Sequence, residues 1–259
     1  MKSQAKYGRP PVIEVVSGLV FEPIRSLTVA HYGLYWHRIV DEFPESKHAL
    51  PVGLEDGTPP GEPFFLPRLW LIHKGQDALV QLQSNRFYFN WREGPNRSPY
   101  TSYVDIYAKF MEHWKGFVQF LADRKMPAPR VLQCELTYVN HIPPTAGWSS
   151  MTDIGKVLAP LSWGKGSTGF LPPPKTVNWN ASFELPEGKG NMTVRMQPAL
   201  RGQDKKELVL SLELAAVGPP ADASDKALDS WFGTAHEWIV RGFEDVTDKG
   251  VQRSVWGKK

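Results

Sequence analysis

One series of elements, counted twice, constrains this chain more than any other feature. From residue 10 to 126 the side-chain pattern predicts a strand, a helix, a proline- and glycine-rich loop, three strands and a long helix; residues 127 to 257 repeat the series. Val12 to Phe21 is β-branched and apolar and stops before Pro23, as a strand covered on both faces would. Ser26 offers a cap oxygen to a helix reaching about Glu42, with apolar positions Tyr32, Tyr35, Trp36, Ile39 and Phe43 and a stop at Pro44. Residues 44 to 67 read as loop. Strands are predicted at Leu69 to His73, Ala78 to Gln83 and Arg86 to Arg92. The pair Ser98-Pro99 then opens a helix to about Arg124, striped by Tyr103, Ile106, Phe110, Trp114, Phe117 and Leu121.

The second pass begins with a strand, Val131 to Val139. Ser150 and Asp153 start a short helix carrying Met151, Ile154, Leu158 and Leu161. A loop spans 163 to 175, and strands follow at Val177 to Phe183, Met192 to Gln197 and Glu207 to Leu214. Ser224 caps a final helix striped by Leu228, Phe232, Ala235, Ile239, Phe243 and Val246. The fold class is therefore α+β, in two pseudo-repeated β-α-β-β-β-α halves. A half of this kind puts its helices on one sheet face and leaves its edges open. Joining two at their edges predicts one curved antiparallel sheet with helices on one face. This order resembles the TATA-binding-protein topology, a saddle with pseudo-twofold symmetry, and a shared topology licenses no shared function.

Charge and cysteine content narrow the classes. A net charge of +3 with scattered Lys and Arg is mild for a dedicated nucleic-acid binder. One cysteine, Cys134, permits no internal disulfide and points to a reducing, cytoplasmic compartment. It shares a strand face with Leu132, Leu136 and Tyr138, which predicts a buried, inert thiol. The polar, basic start of the chain is not expected to act as a signal peptide, and no apolar run spans a bilayer, so no membrane partner is expected.

Several short segments resemble a sporadically distributed prokaryotic protein family of unassigned activity. They are Pro10-Pro11-Val12-Ile13-Glu14-Val15, Phe21-Glu22-Pro23, Leu82-Gln83, Asn90-Trp91-Arg92, and His236-Glu237 with Phe243 and Trp256. The resemblance implies a bacterial or archaeal cytoplasmic protein. Its patchy distribution is similar to that of mobile accessory systems, defence systems included. It carries over no catalytic residue.

Chemistry-bearing motifs are sparse. Gly164 to Gly169 fits G-x-G-x-x-G, but Phe170-Leu171-Pro172-Pro173-Pro174 follows where a dinucleotide fold needs a helix. His236-Glu237 lacks the second histidine of a zinc helix, since position 240 is Val, and His31 and His37 are wrongly spaced to chelate. No metal or cofactor is predicted, and no G-x-S-x-G elbow occurs. What stands out is Arg86, Tyr88, Asn90 and Arg92 on one strand face, with Arg195 in the equivalent hairpin of the second half. Arginines beside an aromatic ring suit phosphates and stacked bases. The sequence therefore predicts a non-catalytic binding or interaction protein with a protein partner or homo-oligomer. The alternatives are nucleic-acid binding on the sheet face, or a small-molecule pocket or enzyme site between sheet and helices. The apolar Val12, Val16 and Val20 favour the first by needing cover.

Overall fold

Alternation of apolar and polar side chains does become sheet. The structure is a computed structural model that describes residues 6–52, 67–95, 100–161, 172–202, 206–222 and 224–259. Its strands are β1 (Val12–Phe21), β2 (Glu45–Ala49), β3 (Arg68–Ile72), β4 (Ala78–Gln83), β5 (Arg86–Arg92), β6 (Val131–Ile142), β7 (Trp179–Glu184), β8 (Asn191–Arg201) and β9 (Glu207–Gly218). Among the described residues they form one nine-stranded antiparallel sheet in the order β2-β3-β4-β5-β1-β6-β9-β8-β7. The helices are α1 (Val29–Ile39), α2 (Tyr103–Asp123), α3 (Asp225–Val246) and α4 (Lys249–Ser254). The chain is thus α+β, and it divides into two compact units that are each discontinuous in sequence.

The first unit comprises Val15–Glu135 with Pro219–Leu228. Its core is aromatic because β5 sends Phe87, Phe89 and Trp91 to the face that α2 covers. The Phe87 ring lies 5.6 Å from Trp114 and 5.5 Å from Phe117, and Phe89 stacks on His113 at 5.4 Å. The α1 stripe delivers Tyr35 edge-on to Phe117 at 5.4 Å. Phe21, Phe43, Phe110 and Leu121 complete a buried cluster. Ser102 caps α2, its Oγ accepting from the Asp105 amide at 3.2 Å.

The second unit comprises Met1–Glu14, Leu136–Gly218 and Asp229–Lys259. Strict alternation along β9 buries Leu210, Leu212 and Leu214 beside Met192, Val194 and Met196 of β8. Helix α3 buries Phe232, Ala235 and Ile239 and passes close to them at Gly242, where a Cβ would lie 2.9 Å from Met192 Cε and 3.5 Å from Leu214 Cδ2. Two glycines let the ends of β8 and β9 meet: a Cβ on Gly190 would sit 2.0 Å from Val217 O, and one on Gly218 1.9 Å from Lys189 O. Gly190 also holds φ at +102°, a region that favours glycine. Segments 6–9 and 256–259 pair with each other. The Gly8 and Arg9 amides donate to Gly257 O and Trp256 O, and the Lys259 amide donates to Lys6 O.

Several elements differ from the sequence expectation. Residues 44 to 67 were expected to be loop throughout, yet Glu45–Ala49 is strand β2, paired antiparallel to β3. The helix expected from Ser26 begins at Val29 behind Thr28, whose amide donates to His31 Nδ1 at 3.1 Å. The short helix expected after Ser150 is a 3-10 turn, Met151–Lys156, too short to hold α-helical bonding alone. Helix α4 was not anticipated. The Ser98-Pro99 start and the G-x-G-x-x-G run at 164–169 lie outside the described residues.

Candidate functional site

The hairpins of the first unit sort their side chains by register. Trp70 pairs with Gln81, Gln81 with Tyr88, Leu79 with Asn90 and Gln83 with Arg86. Partners across a sheet share a face, so Trp70, Gln81, Gln83, Arg86, Tyr88 and Asn90 stand together, opposite the aromatic core. Arg68 and Arg92 join them by strand alternation. The face is polar in composition and largely buried: Gln81, Gln83, Tyr88 and Asn90 are all nine-tenths or more covered.

Tyr88 organises this face, and Gly18 makes room for it. A Cβ on Gly18 would stand 2.1 Å from Tyr88 Cδ1 and 2.3 Å from Cε1. The ring therefore lies over bare backbone of β1, the use a glycine in a strand interior often has. Its hydroxyl donates to Glu135 Oε2 at 3.0 Å and accepts from Arg86 Nη1 at 2.8 Å. Arg86 Nη1 also reaches Glu135 Oε1 at 3.2 Å, and Gln133 Nε2 donates to that oxygen at 2.7 Å. Gln81 Nε2 donates to Asn90 Oδ1 at 2.7 Å, and Gln83 Nε2 donates to Val52 O at 3.1 Å.

The charges follow from these contacts. Burial opposes the Arg86 charge, but Tyr88 and Glu135 outweigh it and raise its pKa. Burial raises the Tyr88 pKa, and the Glu135 carboxylate pushes it further up. Arg68 has no such support: burial lowers its pKa, and although Tyr88 favours its charge, Arg86 opposes it. The face also carries buried polar atoms that no protein atom satisfies. These are the donors Arg68 Nε, Trp70 Nε1, Arg86 Nε and Arg92 Nε, and the acceptor Gln81 Oε1.

Of the residues singled out in the sequence, Arg86, Tyr88, Asn90 and Arg92 thus share a face. Arg195 belongs to the other unit, where it is half-exposed and 3.7 Å from Glu213. Tyr88 is buried, so its ring offers no open face to a base, and Arg86 already faces a carboxylate, so this geometry lends the nucleic-acid reading no support. Sequence reasoning missed Arg68, Trp70, Gln81, Gln83 and Glu135. The available signals were two carboxamides alternating with Val80 and Leu82 in one strand, and a glycine inside β1.

Elsewhere, Cys134 is fully buried, and burial pushes its thiol pKa up, which makes it a poor nucleophile. His73 Nδ1 lies 2.6 Å from Asp77, and His113 Nε2 is 3.8 Å from Glu42. Among the described residues no group of three or more His, Cys, Asp or Glu is placed to hold a metal ion. No helix among them is long and apolar enough to cross a membrane. Comparison with protein-family models and with curated proteins finds no match for this chain.

Proposed function

We propose that this protein acts by binding, and that it holds a small polar ligand against the Arg68–Trp70–Gln81–Tyr88–Arg86 face of its first unit. One observation carries the reading: that face keeps buried hydrogen-bonding atoms, mostly donors, with no partner in the protein. Each such atom costs about 1–3 kcal/mol, a burden folded proteins rarely carry without use. A bound ligand with complementary acceptors removes the cost. Native mass spectrometry of the gently purified protein tests it. A small-molecule adduct lost on substituting residues of this face supports the reading; an unliganded protein that no metabolite extract stabilises overturns it.

A second reading, a protein partner or a second copy, rests on apolar exposure in the other unit. Leu200 and Leu208 face each other across β8 and β9 and are 57% and 41% exposed, and Phe183 is exposed on β7, the last strand in the sheet order. Light scattering decides it: a monomer at all concentrations, with no co-purifying chain, counts against this reading. The duplicated β-α-β-β-β-α order of elements stands beside both as part of the proposal. Its support is the strand order, which runs outward from the central pair β1–β6 through β5-β4-β3-β2 on one side and β9-β8-β7 on the other.

A further inference from the structure

The unpartnered atoms are not spread evenly over the polar face. The β3–β4 register pairs Leu69 with Leu82, so its next step sets Arg68 beside Gln83, which pairs with Arg86. The two arginines therefore rise from strands on either side of β4, with backbones about 10 Å apart. Both lean the same way. The Arg68 guanidinium carbon sits 5.5 Å from the centre of the Trp70 ring, and Arg86 Nη1 bonds the Tyr88 hydroxyl. Trp70, Gln81 and Tyr88 form the next row of the sheet, so Arg68 and Arg86 stand in one row and lean along their strands to the next, Arg86 reaching on to Glu135 of β6.

These two adjacent rows hold three buried donors without a partner, Arg68 Nε, Trp70 Nε1 and Arg86 Nε, with one acceptor without a partner, Gln81 Oε1. Glu135 offsets the charge of Arg86. No carboxylate among the described residues pairs with Arg68. The Arg86 side chain keeps 14% of its surface open, so the row is not sealed from solvent. Two guanidinium groups and an indole N–H are the donor set that recognises an oxyanion, since arginine matches phosphate and carboxylate geometry. The lone acceptor adds a condition: the ligand must also present a hydroxyl.

We propose that Arg68, Trp70 and Arg86 form an oxyanion site, and that Gln81 Oε1 accepts from a hydroxyl of the same ligand. The ligand class is a small hydroxyl-bearing oxyanion, either a protonated phosphate or a hydroxycarboxylate. The inference rests on the binding reading above and narrows it.

The test is calorimetric titration of the full chain with inorganic phosphate, citrate and sulfate, with thermal denaturation alongside. Saturable binding of phosphate or citrate is expected, and which of the two binds tighter identifies the source of the oxyanion. Sulfate, which carries no hydroxyl at neutral pH, is expected to bind more weakly. Arg68→Met is expected to weaken binding about 10- to 100-fold, the effect of losing charged hydrogen bonds. Thermal denaturation without anion checks that the variant is folded. Arg195→Met, in the other unit and beside Glu213, should bind as the native chain does. The proposal is overturned if none of the three anions binds saturably, or if Arg68→Met binds like the native chain. If the anions fail while native mass spectrometry still shows a ligand on this face, the oxyanion assignment falls and the binding reading stands; if both fail, both fall.

Discussion

Adding a single methyl group to β1 is the sharpest probe of the polar face. Gly18→Ala places a carbon 2.1 Å from Tyr88 Cδ1, where no real contact exists, so the ring must lift. Overpacking of a filled site costs about 1–3 kcal/mol. Lifting the ring also breaks the bonds from its hydroxyl to Glu135 and Arg86, charge-assisted contacts worth about 1.5–3 kcal/mol. Against this, alanine gains about 0.5–1 kcal/mol over glycine in a strand. The net expectation is a loss of about 2–4 kcal/mol. The same substitution in a Tyr88→Ala background meets no ring, and there it should be neutral or stabilising by about 0.5–1 kcal/mol. Urea unfolding of the four proteins, followed by tryptophan fluorescence, gives the coupling energy directly. A Gly18→Ala protein within about 0.5 kcal/mol of the native chain would refute the reasoning. So would an equal loss in both backgrounds, since the cost would then lie in the strand backbone and not in the ring above it.

Three further outcomes follow from the structure. Burial holds the His236 pKa down to about 4, against 6.5 in the unfolded chain, so the unfolded state takes up a proton first as pH falls. Stability is then complete above about pH 6.5 and declines toward pH 4, by at most about 3 kcal/mol from this group; His236→Gln should flatten that decline in urea midpoints, and an unchanged slope would count against it. His113 and His141, both also lowered by burial, contribute in the same direction. Gly190→Ala should cost about 2–4 kcal/mol, because it adds overpacking against Val217 O to a left-handed backbone; thermal denaturation checks it. Cys134 should resist thiol-specific reagents in the native protein and react on unfolding in urea, so labelling at native rates would show that its strand opens readily.

Local periodicity carried much of this fold. The stripe from Ile106 to Leu121 and the alternation along β5 and from Leu210 to Leu214 of β9 are short-range patterns, and each reappears as a buried helix or strand face. Strand β2 was not legible because Glu45, Ser46, Lys47 and His48 show no apolar alternation; its place is set by backbone pairing to β3, a long-range contact. The same division holds at the site. Arg86, Tyr88, Asn90 and Arg92 could be read as one face from their spacing. Glu135, which lies 47 residues from Tyr88, could not, because only the sheet order brings β6 near the hydroxyl. Arg68 was passed over because nothing local marks it; its significance comes from facing Arg86 across β4.

The pairing of Lys6–Arg9 with Trp256–Lys259 has a practical meaning for engineering. Residues 6 and 259 are hydrogen-bonded neighbours, so an engineered segment running from one to the other could be closed into a ring by a short linker. Opening that ring at the tight turn between β4 and β5 would yield a circular permutant with the native residues rearranged in order. The strands on either side of the new gap would remain neighbours in the sheet while losing their covalent link, so the permutant would report how far that turn guides assembly of the polar face.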